Sequence, residues 1–237
     1  MNKFIHKPKS ELEKFGVKVY HALVENFSQT FFVGGMVRDL LLKRKIVDID
    51  IATAAKPEQV TKILSLMGID YTDANKKFGV ITAQQKNLKV GITTFRKDLE
   101  GDSRYHEVRF ISNARQDSKR RDFTINALYL SLKNSRLLDF NNGLSDIKNK
   151  LVRFIGGDEK RIQEDPLRII RALRFCLILN FKLENKTKAA MKNNFELIKS
   201  LTKTKISKEK DKIKSSKQKN ILKKVINSPK TLDKYFK

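Results

Sequence analysis

The chain of 237 residues is long enough for one sizeable domain or two small ones. Its 51 Lys and Arg residues outnumber its 26 Asp and Glu residues, and the formal net charge of +25 predicts a polyanionic partner, either nucleic acid or an anionic membrane surface. No apolar run approaches the roughly 20 residues of a transmembrane helix, no secretory signal is recognisable, and a single Cys excludes an internal disulfide. We therefore predict a cytoplasmic protein that has no membrane partner, and its oligomeric state is left open.

The first half of the chain alternates helical and strand patterns. Apolar residues recur every three or four positions over residues 11–27, which predicts an amphipathic helix. A β-rich run at 30–33 stops at two glycines, and a helical pattern follows at 36–43. A second strand is predicted at 46–52, and its period of two places two aspartates on one face. The next predicted elements are a helix at 57–67 and strands at 78–84, 88–95 and 107–111.

The second half of the chain predicts mostly helix. The apolar pattern turns helical from about 121 to 132, and residues 166–180 form the clearest helix, with Pro166 in its first turn. Residues 201–237 carry 13 Lys against three acidic residues, a net charge of +10, and this Lys-rich tail is expected to be partly helical or disordered. The remaining predictions are short β-like runs at 136–140 and 151–155 and a helix at 186–200.

Two glycines and two aspartates form the first candidate site. Gly34 and Gly35 lie between a predicted strand and a predicted helix, where backbone N–H groups can approach a phosphate. Asp48 and Asp50 can jointly hold Mg²⁺, which prefers oxygen ligands and keeps waters that phosphates can replace. Together these residues favour nucleotidyl transfer assisted by a metal. The alternative is a plain turn followed by a solvated strand face.

A basic and polar segment forms the second candidate site. The guanidinium of Arg121 can pair with triphosphate oxygens. Asp122 and Asn126 are four residues apart, so on a helix they share one face and can hold a ribose hydroxyl. The alternative is a helix N-terminus that Asp122 caps, with the arginine in solvent.

An acidic pair and three arginines form the third candidate site. Asp165 and Arg168 are three apart and can together pair with the flat edge of a base. Cytosine and adenine offer an amine beside a ring acceptor, whereas guanine and uracil would leave buried polar groups unpaired at roughly 1–3 kcal/mol each. The alternative is that the acids serve the helix dipole and the arginines contact RNA phosphates. The residues of this site are Glu164, Asp165, Arg168, Arg171 and Arg174.

These motifs, in this order and spacing, resemble the class II tRNA nucleotidyltransferase family, which includes CCA-adding enzymes and bacterial poly(A) polymerases. The resemblance covers about residues 28–182 and overturns the structural alternatives at all three sites. It implies an α+β fold, in which a small mixed β-sheet nucleotidyltransferase head with flanking helices is followed by an α-helical neck. The motifs are GGMVRDLLL from residue 34, DIDIAT from 48, RRDFTINAL from 120 and EDPLRIIRALRF from 164.

The resemblance also implies a role for each matching residue. Asp48 and Asp50 match the catalytic pair that binds the metal, with Mg²⁺ as cofactor. Asp165 and Arg168 match the protein template that pairs with the incoming base, and Glu164 supports it. The other implied nucleotide contacts are Gly35 with its neighbour Gly34, Arg38, Arg121, Asp122 and Asn126 near the ribose, Arg171 and Arg174.

Three departures from the family pattern stand out. Gly91 occupies a position where the family usually has an acidic residue, which we associate with a third carboxylate of the active site. Lys43 replaces a usual glycine in a loop. The chain also ends about where the neck of the family gives way to its body, so we interpret it as truncated after the neck.

We therefore predict an enzyme that adds C and A, as CCA or part of it, to the 3′ end of tRNA from CTP and ATP. One alternative is a poly(A) polymerase that adds AMP to RNA 3′ ends, and another is a truncated relative that binds RNA without catalysis. The tail is expected to supply sequence-independent affinity for RNA in place of the missing domains. The predicted domains are an N-terminal helix (1–27), a catalytic head (28–145), a helical neck with the template motif (146–200) and the Lys-rich tail (201–237).

Overall fold

A computed structural model of the protein describes residues 7–99 and 107–236. The contacts between residues divide the chain into two compact units. The first unit comprises Met1–Arg121 and Asn126–Gly143, and the second comprises Asp122–Ile125 and Leu144–Lys237. The short segment at residues 122–125 therefore belongs to the second unit although the chain on both sides of it belongs to the first.

A mixed β-sheet forms the centre of the first unit. The strands of this unit are β1 (Thr30–Val33), β2 (Asp50–Thr53), β3 (Asp70–Asn75), β4 (Val80–Gln85), β5 (Leu88–Thr94), β6 (Arg96–Asp98), β7 (Val108–Phe110), β8 (Leu128–Ser131) and β9 (Arg136–Asp139). Seven of them follow the order β3-β4-β5-β2-β1-β8-β9, with β2 and β5 parallel and all other neighbours antiparallel. The remaining two, β6 and β7, form a separate antiparallel pair.

Helices surround this sheet. They are α1 (Glu11–Asn26), α2 (Gly35–Leu41), α3 (Pro57–Leu66) and α4 (Ala114–Lys119). Ser10 caps α1 by accepting a hydrogen bond from the backbone N–H of Glu13. Gly16 allows α1 to lie close to the residue that precedes the central strand β2, because a Cβ there would stand 2.8 Å from Cδ1 of Ile49. The hydroxyl of Tyr20, on the same buried face, accepts a hydrogen bond from the N–H of Leu132 and so joins α1 to the end of β8.

Several elements of the first unit follow the sequence patterns, and others do not. The strand predicted at 46–52 begins only at Asp50, and no pattern predicted α4. The helix predicted at 121–132 is wrong, because residues 124–126 form a 3₁₀ turn and the next residues form β8. Every residue of β8 is buried between β1 and β9, so its apolar run has no alternation that would mark a strand. The pattern also missed β3, an edge strand whose six residues are all exposed and mostly polar.

The second unit is mainly helical. Its helices are α5 (Gly143–Lys148), α6 (Asp158–Glu164), α7 (Leu167–Leu179), α8 (Asn185–Asn193), α9 (Lys203–Asp211), α10 (Ser216–Asn227) and α11 (Leu232–Tyr235), and its strands are β10 (Leu151–Val152) and β11 (Lys182–Leu183). The two strands pair in parallel. Phe175 of α7 packs edge-on against Phe123, which in turn stacks on Phe154, and these rings form part of the core. The mixed sheet and the helical second unit confirm the predicted fold class.

The Lys-rich tail is helical over most of its length and packs on the second unit. Leu222 and Val225 of α10 are fully buried, and so is Ile213, which precedes that helix. The side-chain amide of Gln218 donates a hydrogen bond of 2.6 Å to the carbonyl of Leu177 in α7. Within residues 7–99 and 107–236, no helix combines the length and apolar character needed to cross a membrane.

Truncation of a buried α10 side chain tests whether the tail is part of the folded unit. We expect Leu222→Ala to lower the free energy of unfolding by about 2–4 kcal/mol, because it leaves a cavity in a packed region. Urea denaturation followed by circular dichroism measures the change. The neighbouring exposed substitution Lys223→Ala should stay within about 0.5 kcal/mol of the parent chain. Equal stability of the two variants would show that α10 does not pack on the rest of the unit.

Candidate active site

A pair of aspartates lies at the start of β2, the central strand of the sheet of the first unit. Asp50 begins β2 and pairs with Val33 of β1 on one side and with Gly91 of β5 on the other. Asp48 precedes β2 and is exposed, while Ile49 between the two aspartates is fully buried. Burial raises the pKa of Asp50 to about 6, and the nearby negative charge of Asp48 adds to this rise, whereas the positive charge of Arg121 opposes it.

Two glycines give the carboxylate of Asp50 its space. Gly34, in the turn from β1 to α2, has φ of +72°, a conformation that L side chains rarely adopt, and a Cβ there would stand 3.5 Å from Oδ2 of Asp50. A Cβ on Gly91 would stand only 2.6 Å from Oδ1 of Asp50. The carboxylate of Asp50 therefore lies between a glycine turn and a glycine of the neighbouring strand.

The aspartate pair fits a hard divalent cation. Two carboxylates close enough to raise the pKa of Asp50 repel each other, and a cation bound between them would relieve that repulsion. Among the described residues, no group of three or more His, Cys, Asp or Glu side chains is arranged to hold a metal ion. Protein ligands would therefore come from Asp48 and Asp50 alone, and substrate oxygens or waters would complete the shell.

Arg38 and Asn126 meet in the first unit although 88 residues separate them in the chain. Nη1 of Arg38 donates a hydrogen bond of 2.6 Å to Oδ1 of Asn126. The guanidinium of Arg38 also binds both carboxylate oxygens of Asp39, with hydrogen bonds of 3.0 Å and 2.9 Å. These contacts fix the buried guanidinium of Arg38. Its Nη2 lies next to Gly35, because a Cβ on Gly35 would be 3.5 Å from that nitrogen.

Arg121 is held by a buried network that the sequence analysis missed. Nε of Arg121 donates to the hydroxyl of Tyr129 at 2.8 Å, and that hydroxyl donates to Asp117 at 2.7 Å. Asp117 is fully buried and also accepts hydrogen bonds from Arg120 and from the backbone N–H of Arg96. Burial works against the charge of Asp117, but Arg121 and Arg120 outweigh it and lower the pKa of the carboxyl.

The sequence spacing could have predicted the ion pairs of this network. Asp117 stands three residues before Arg120 and four before Arg121, which is the spacing of ion pairs on a helix. Tyr129 carried no such signal, because it comes from the buried strand β8. The network positions the guanidinium of Arg121 where its charge acts on Asp50.

Asp122 belongs to the second unit and forms an ion pair there with Arg171 of α7. The shared helical face predicted for Asp122 and Asn126 is wrong, because residues 124–126 form a 3₁₀ turn and Asn126 belongs to the first unit. Nε of Arg171 is buried without a hydrogen-bond partner in the part of the chain that the structure describes. A buried donor of this kind suits a polar ligand.

The predicted base-reading pair lies where α6 meets α7. Oδ1 of Asp165 accepts a hydrogen bond of 3.1 Å from the N–H of Leu167 and so supports the start of α7. Nη1 of Arg168 donates to Glu164 at 2.8 Å and to the carbonyl of Arg161 at 2.6 Å. Glu164 therefore contacts Arg168 directly.

Arg174 has a buried partner from the tail. Its Nε donates a hydrogen bond of 2.7 Å to Oε2 of Glu209 in α9, and both side chains are buried. Burial opposes the charge of Glu209, but Lys212 and Arg174 outweigh it and lower the pKa of the carboxyl. Within the second unit this pair joins α9 to α7.

The pH dependence of stability tests the carboxylate pair. In the metal-free chain the pKa of Asp50 is higher than in an unfolded chain, so Asp50 stabilises the fold at low pH and this contribution is lost as pH rises through about 6. We expect Asp50→Asn to become more stable relative to the parent by about 1–3 kcal/mol between pH 4 and pH 7. Urea unfolding in a chelator measures this. The exposed control Asp73→Asn should show no such trend, and a trend of the same size there would contradict the assignment.

Removal of the charge of Asp117 tests the buried network. Asp117→Asn leaves two arginines without their carboxylate, so we expect the free energy of unfolding to fall by about 3–5 kcal/mol. Tyr129→Phe removes one hydrogen-bonding hydroxyl and should cost about 1 kcal/mol. Thermal or urea denaturation measures both. The surface variant Asp98→Asn, whose ion pair with Arg96 is partly exposed, should change stability by less than about 1 kcal/mol, and a loss for Asp117→Asn no larger than this would contradict the network.

Residues 30–153, more than half of the chain, match the model of the Poly A polymerase head domain family. The chain is 42% identical over 183 residues to a CCA-adding enzyme of Lactobacillus helveticus, covering 76% of this chain and 45% of the relative. It is 39% identical over 192 residues to a CCA-adding enzyme of Bacillus subtilis, covering 79% of this chain and 47% of the relative. The chain thus spans about half the length of the curated relatives it matches.

Solved structures show the same similarity. The crystal structure of the Bacillus stearothermophilus CCA-adding enzyme in complex with CTP superposes with a TM-score of 0.75 at 33% identity, over 85% of this chain and 48% of that one. A tRNA nucleotidyltransferase complexed with a primer tRNA and an incoming ATP analogue superposes with a TM-score of 0.69 at 27% identity, over 86% of this chain and 58% of that one. The family model, the relatives and the shared fold together confirm the resemblance predicted from the motifs: the chain belongs to the Poly A polymerase head domain family.

Proposed function

We propose that this chain transfers nucleotides to the 3′ end of tRNA, adding C and A from CTP and ATP in a reaction that depends on Mg²⁺. The observation that carries the proposal is the Asp48 and Asp50 pair, with the carboxylate of Asp50 between the Gly34 turn and Gly91 and within the field of Arg121. Relatives about 40% identical are CCA-adding enzymes, which supports this substrate choice. As a tRNA-processing enzyme, it would act in the cytoplasm.

In this proposal the first unit handles the triphosphate. Asp48 and Asp50 would hold Mg²⁺, which supplies charge neutralisation on the phosphates and activates the attacking hydroxyl. The 3′-oxygen of the RNA would form a bond to the α-phosphorus as the bond from that phosphorus to pyrophosphate breaks, and the hydroxyl proton would pass to solvent water. Gly34 and Gly35 leave the backbone open to phosphate oxygens, and Arg38 and Arg121 supply fixed positive charge.

The second unit, in the same proposal, selects the base. Oδ2 of Asp165 has no partner among the described residues and can accept a hydrogen bond from the exocyclic amine of cytosine or adenine. Arg168 uses Nη1 on Glu164 and Arg161 and keeps its other donors for the ring acceptor beside that amine. Asp122, Arg171 and Arg174 are proposed as further nucleotide contacts, and Asn126 of the first unit as a ribose contact. The unsatisfied Nε of Arg171 supports this assignment.

Two other functions each have an observation in their favour. The name of the matching family favours poly(A) addition, and a partial CC or A addition uses the same residues. Gly91, which leaves the metal site with two carboxylates, favours an RNA-binding protein without catalysis. We also keep the predicted domain boundaries as a proposal, supported near residue 145 by the division of contacts at Gly143.

A nucleotide-addition assay tests the proposal. Purified protein is incubated with Mg²⁺, each labelled nucleotide and a tRNA that lacks its 3′ CCA, and the products are separated on a gel. We expect three added residues from CTP and ATP, and Asp48→Asn should reduce the rate by about a hundredfold or more, as for other groups that stabilise transition-state charge. The control Asp73→Asn makes the same charge change at an exposed edge strand and should keep full activity.

The assay also separates the alternatives and tests base choice. A long A tract would indicate poly(A) addition, and no incorporation by the parent chain with any metal or nucleotide would leave only the non-catalytic function. Asp165→Asn keeps an oxygen for the start of α7 but replaces one acceptor by a donor. We expect this variant to lose its preference for C and A over G and U, while its stability stays within about 1 kcal/mol of the parent.

A further inference from the structure

The solvent side of α9 and α10 is covered by lysines. The side chains of Lys203, Lys205 and Lys208 in α9 and of Lys217, Lys223 and Lys224 in α10 are all exposed. We call these six residues the lysine face. In α10 the three lysines lie away from the buried Leu222 and Val225. In α9 they stand around Glu209, its one buried residue, and Lys205 lies one turn before it.

The lysine face is not neutralised within the second unit. Of the ion pairs among the described residues, none involves any of the six lysines. Most acidic residues of this segment form ion pairs with other cations. Glu209 binds Arg174 and Lys212, and Asp233 binds two lysines of α8, Lys188 and Lys192. Only Asp211 presents a carboxylate on α9 without a cationic partner in the described part of the chain. A solvated helix face normally alternates both signs of charge, so this surface is unusual for a face without a partner.

The two helices hold the lysines in fixed positions. The buried pair of Arg174 and Glu209 joins α9 to α7, and the hydrogen bond from Gln218 to Leu177 joins α10 to α7. Leu222 and Val225 are fully buried beneath the lysines of α10. The positive charge is thus presented on a packed surface, and ligand binding would not have to order a free chain.

The chemistry of the surface favours nucleic acid over a membrane. A helix that binds a membrane surface inserts its apolar face among the lipids. The apolar face of α10 is already buried in the second unit, and none of the large exposed hydrophobic side chains of the described residues falls in α9 or α10. Lysine ammonium groups without an apolar component suit phosphate groups of a nucleic acid backbone.

We propose that the lysine face binds the phosphate backbone of RNA, independently of sequence and apart from the residues that choose the nucleotide. The proposal rests on the proposed function for the identity of the polyanion, and it adds a second contact with the RNA substrate. Lysines that neutralise phosphates release counterions, so this contact weakens as the salt concentration rises. The lysine face contributes six of the positive charges behind the net charge of +25, and none of its six residues is a predicted active-site residue.

RNA binding by the full chain tests the proposal. The variant carries Lys208→Gln, Lys217→Gln, Lys223→Gln and Lys224→Gln, which keep helix-forming side chains and remove four charges. Binding to a labelled tRNA and to an unrelated RNA of the same length is measured by filter binding from about 50 to 200 mM salt. Relative to the parent chain, we expect the variant to bind both RNAs about tenfold or more weakly even at the highest salt concentration. The slope of log K against log salt should flatten by about one for each phosphate contact that the variant loses.

A matched variant separates a local surface from bulk charge. Lys18→Gln, Lys62→Gln, Lys89→Gln and Lys133→Gln remove four exposed charges from the first unit and should change binding by less than about twofold. Equal losses in the two variants, or no loss in the first, would overturn the proposal. So would tighter binding of the parent chain to vesicles containing phosphatidylserine than to RNA, lost in the α9 and α10 variant.

The binding experiment does not depend on catalysis. If the parent chain adds no nucleotide but loses RNA affinity through the four α9 and α10 substitutions, the proposed function fails and the lysine face stands. If the parent chain adds nucleotides and the variant binds RNA as tightly as the parent, the lysine face fails and the proposed function stands. Circular dichroism of both variants confirms that the helices remain folded.

Discussion

A carboxylate at the centre of a β-sheet is the constraint on which the first unit depends. Asp50 pairs with strands on both sides, so its side chain has room only because Gly34 and Gly91 lack one. Burial beside Asp48 makes its charge costly, and the compensating charge is that of Arg121. That arginine is in turn held by the buried Asp117. In this site, each buried charge is therefore stabilised by an opposite charge beside it: Asp50 by Arg121, and Arg121 by Asp117.

In the second unit, the buried or partly buried charges are those of arginines, and carboxylates stabilise them. Three arginines that follow one another along α7 each meet a carboxylate: Arg168 meets Glu164, Arg171 meets Asp122, and Arg174 meets Glu209. Each pair fixes its guanidinium and satisfies part of the charge of both partners. The six residues of the lysine face have no such partners in the described residues and are exposed to solvent. In this unit, three arginines of α7 are thus fixed by carboxylates, whereas the lysine face presents positive charge to solvent.

Local patterns predicted those elements whose residues carry their own periodicity. The helices around 11–27, 57–67 and 166–180 were correct within a few residues, because an amphipathic stripe or a terminal proline marks each of them. The strand at 30–33 was also correct, because a β-rich run ends there at two glycines. The pattern failed at β8, which is apolar on both faces because it lies inside the sheet. It also failed to relate Tyr129 to Arg121, since a side chain in a central strand carries no local mark of its partner.

The sequence by itself determined the family and the fold class and supplied the candidate site residues, because spacing within short motifs is a local property of the chain. The tertiary structure decided which of them meet. It joined Arg38 to Asn126, 88 residues away, and Arg174 to Glu209, 35 residues away. It also assigned Asp122 and Asn126 to different units, although a helical spacing had placed them on one face. Such pairings depend on how the sheet and helices pack and on which charges burial forces together, and neither is encoded in the spacing of a single segment.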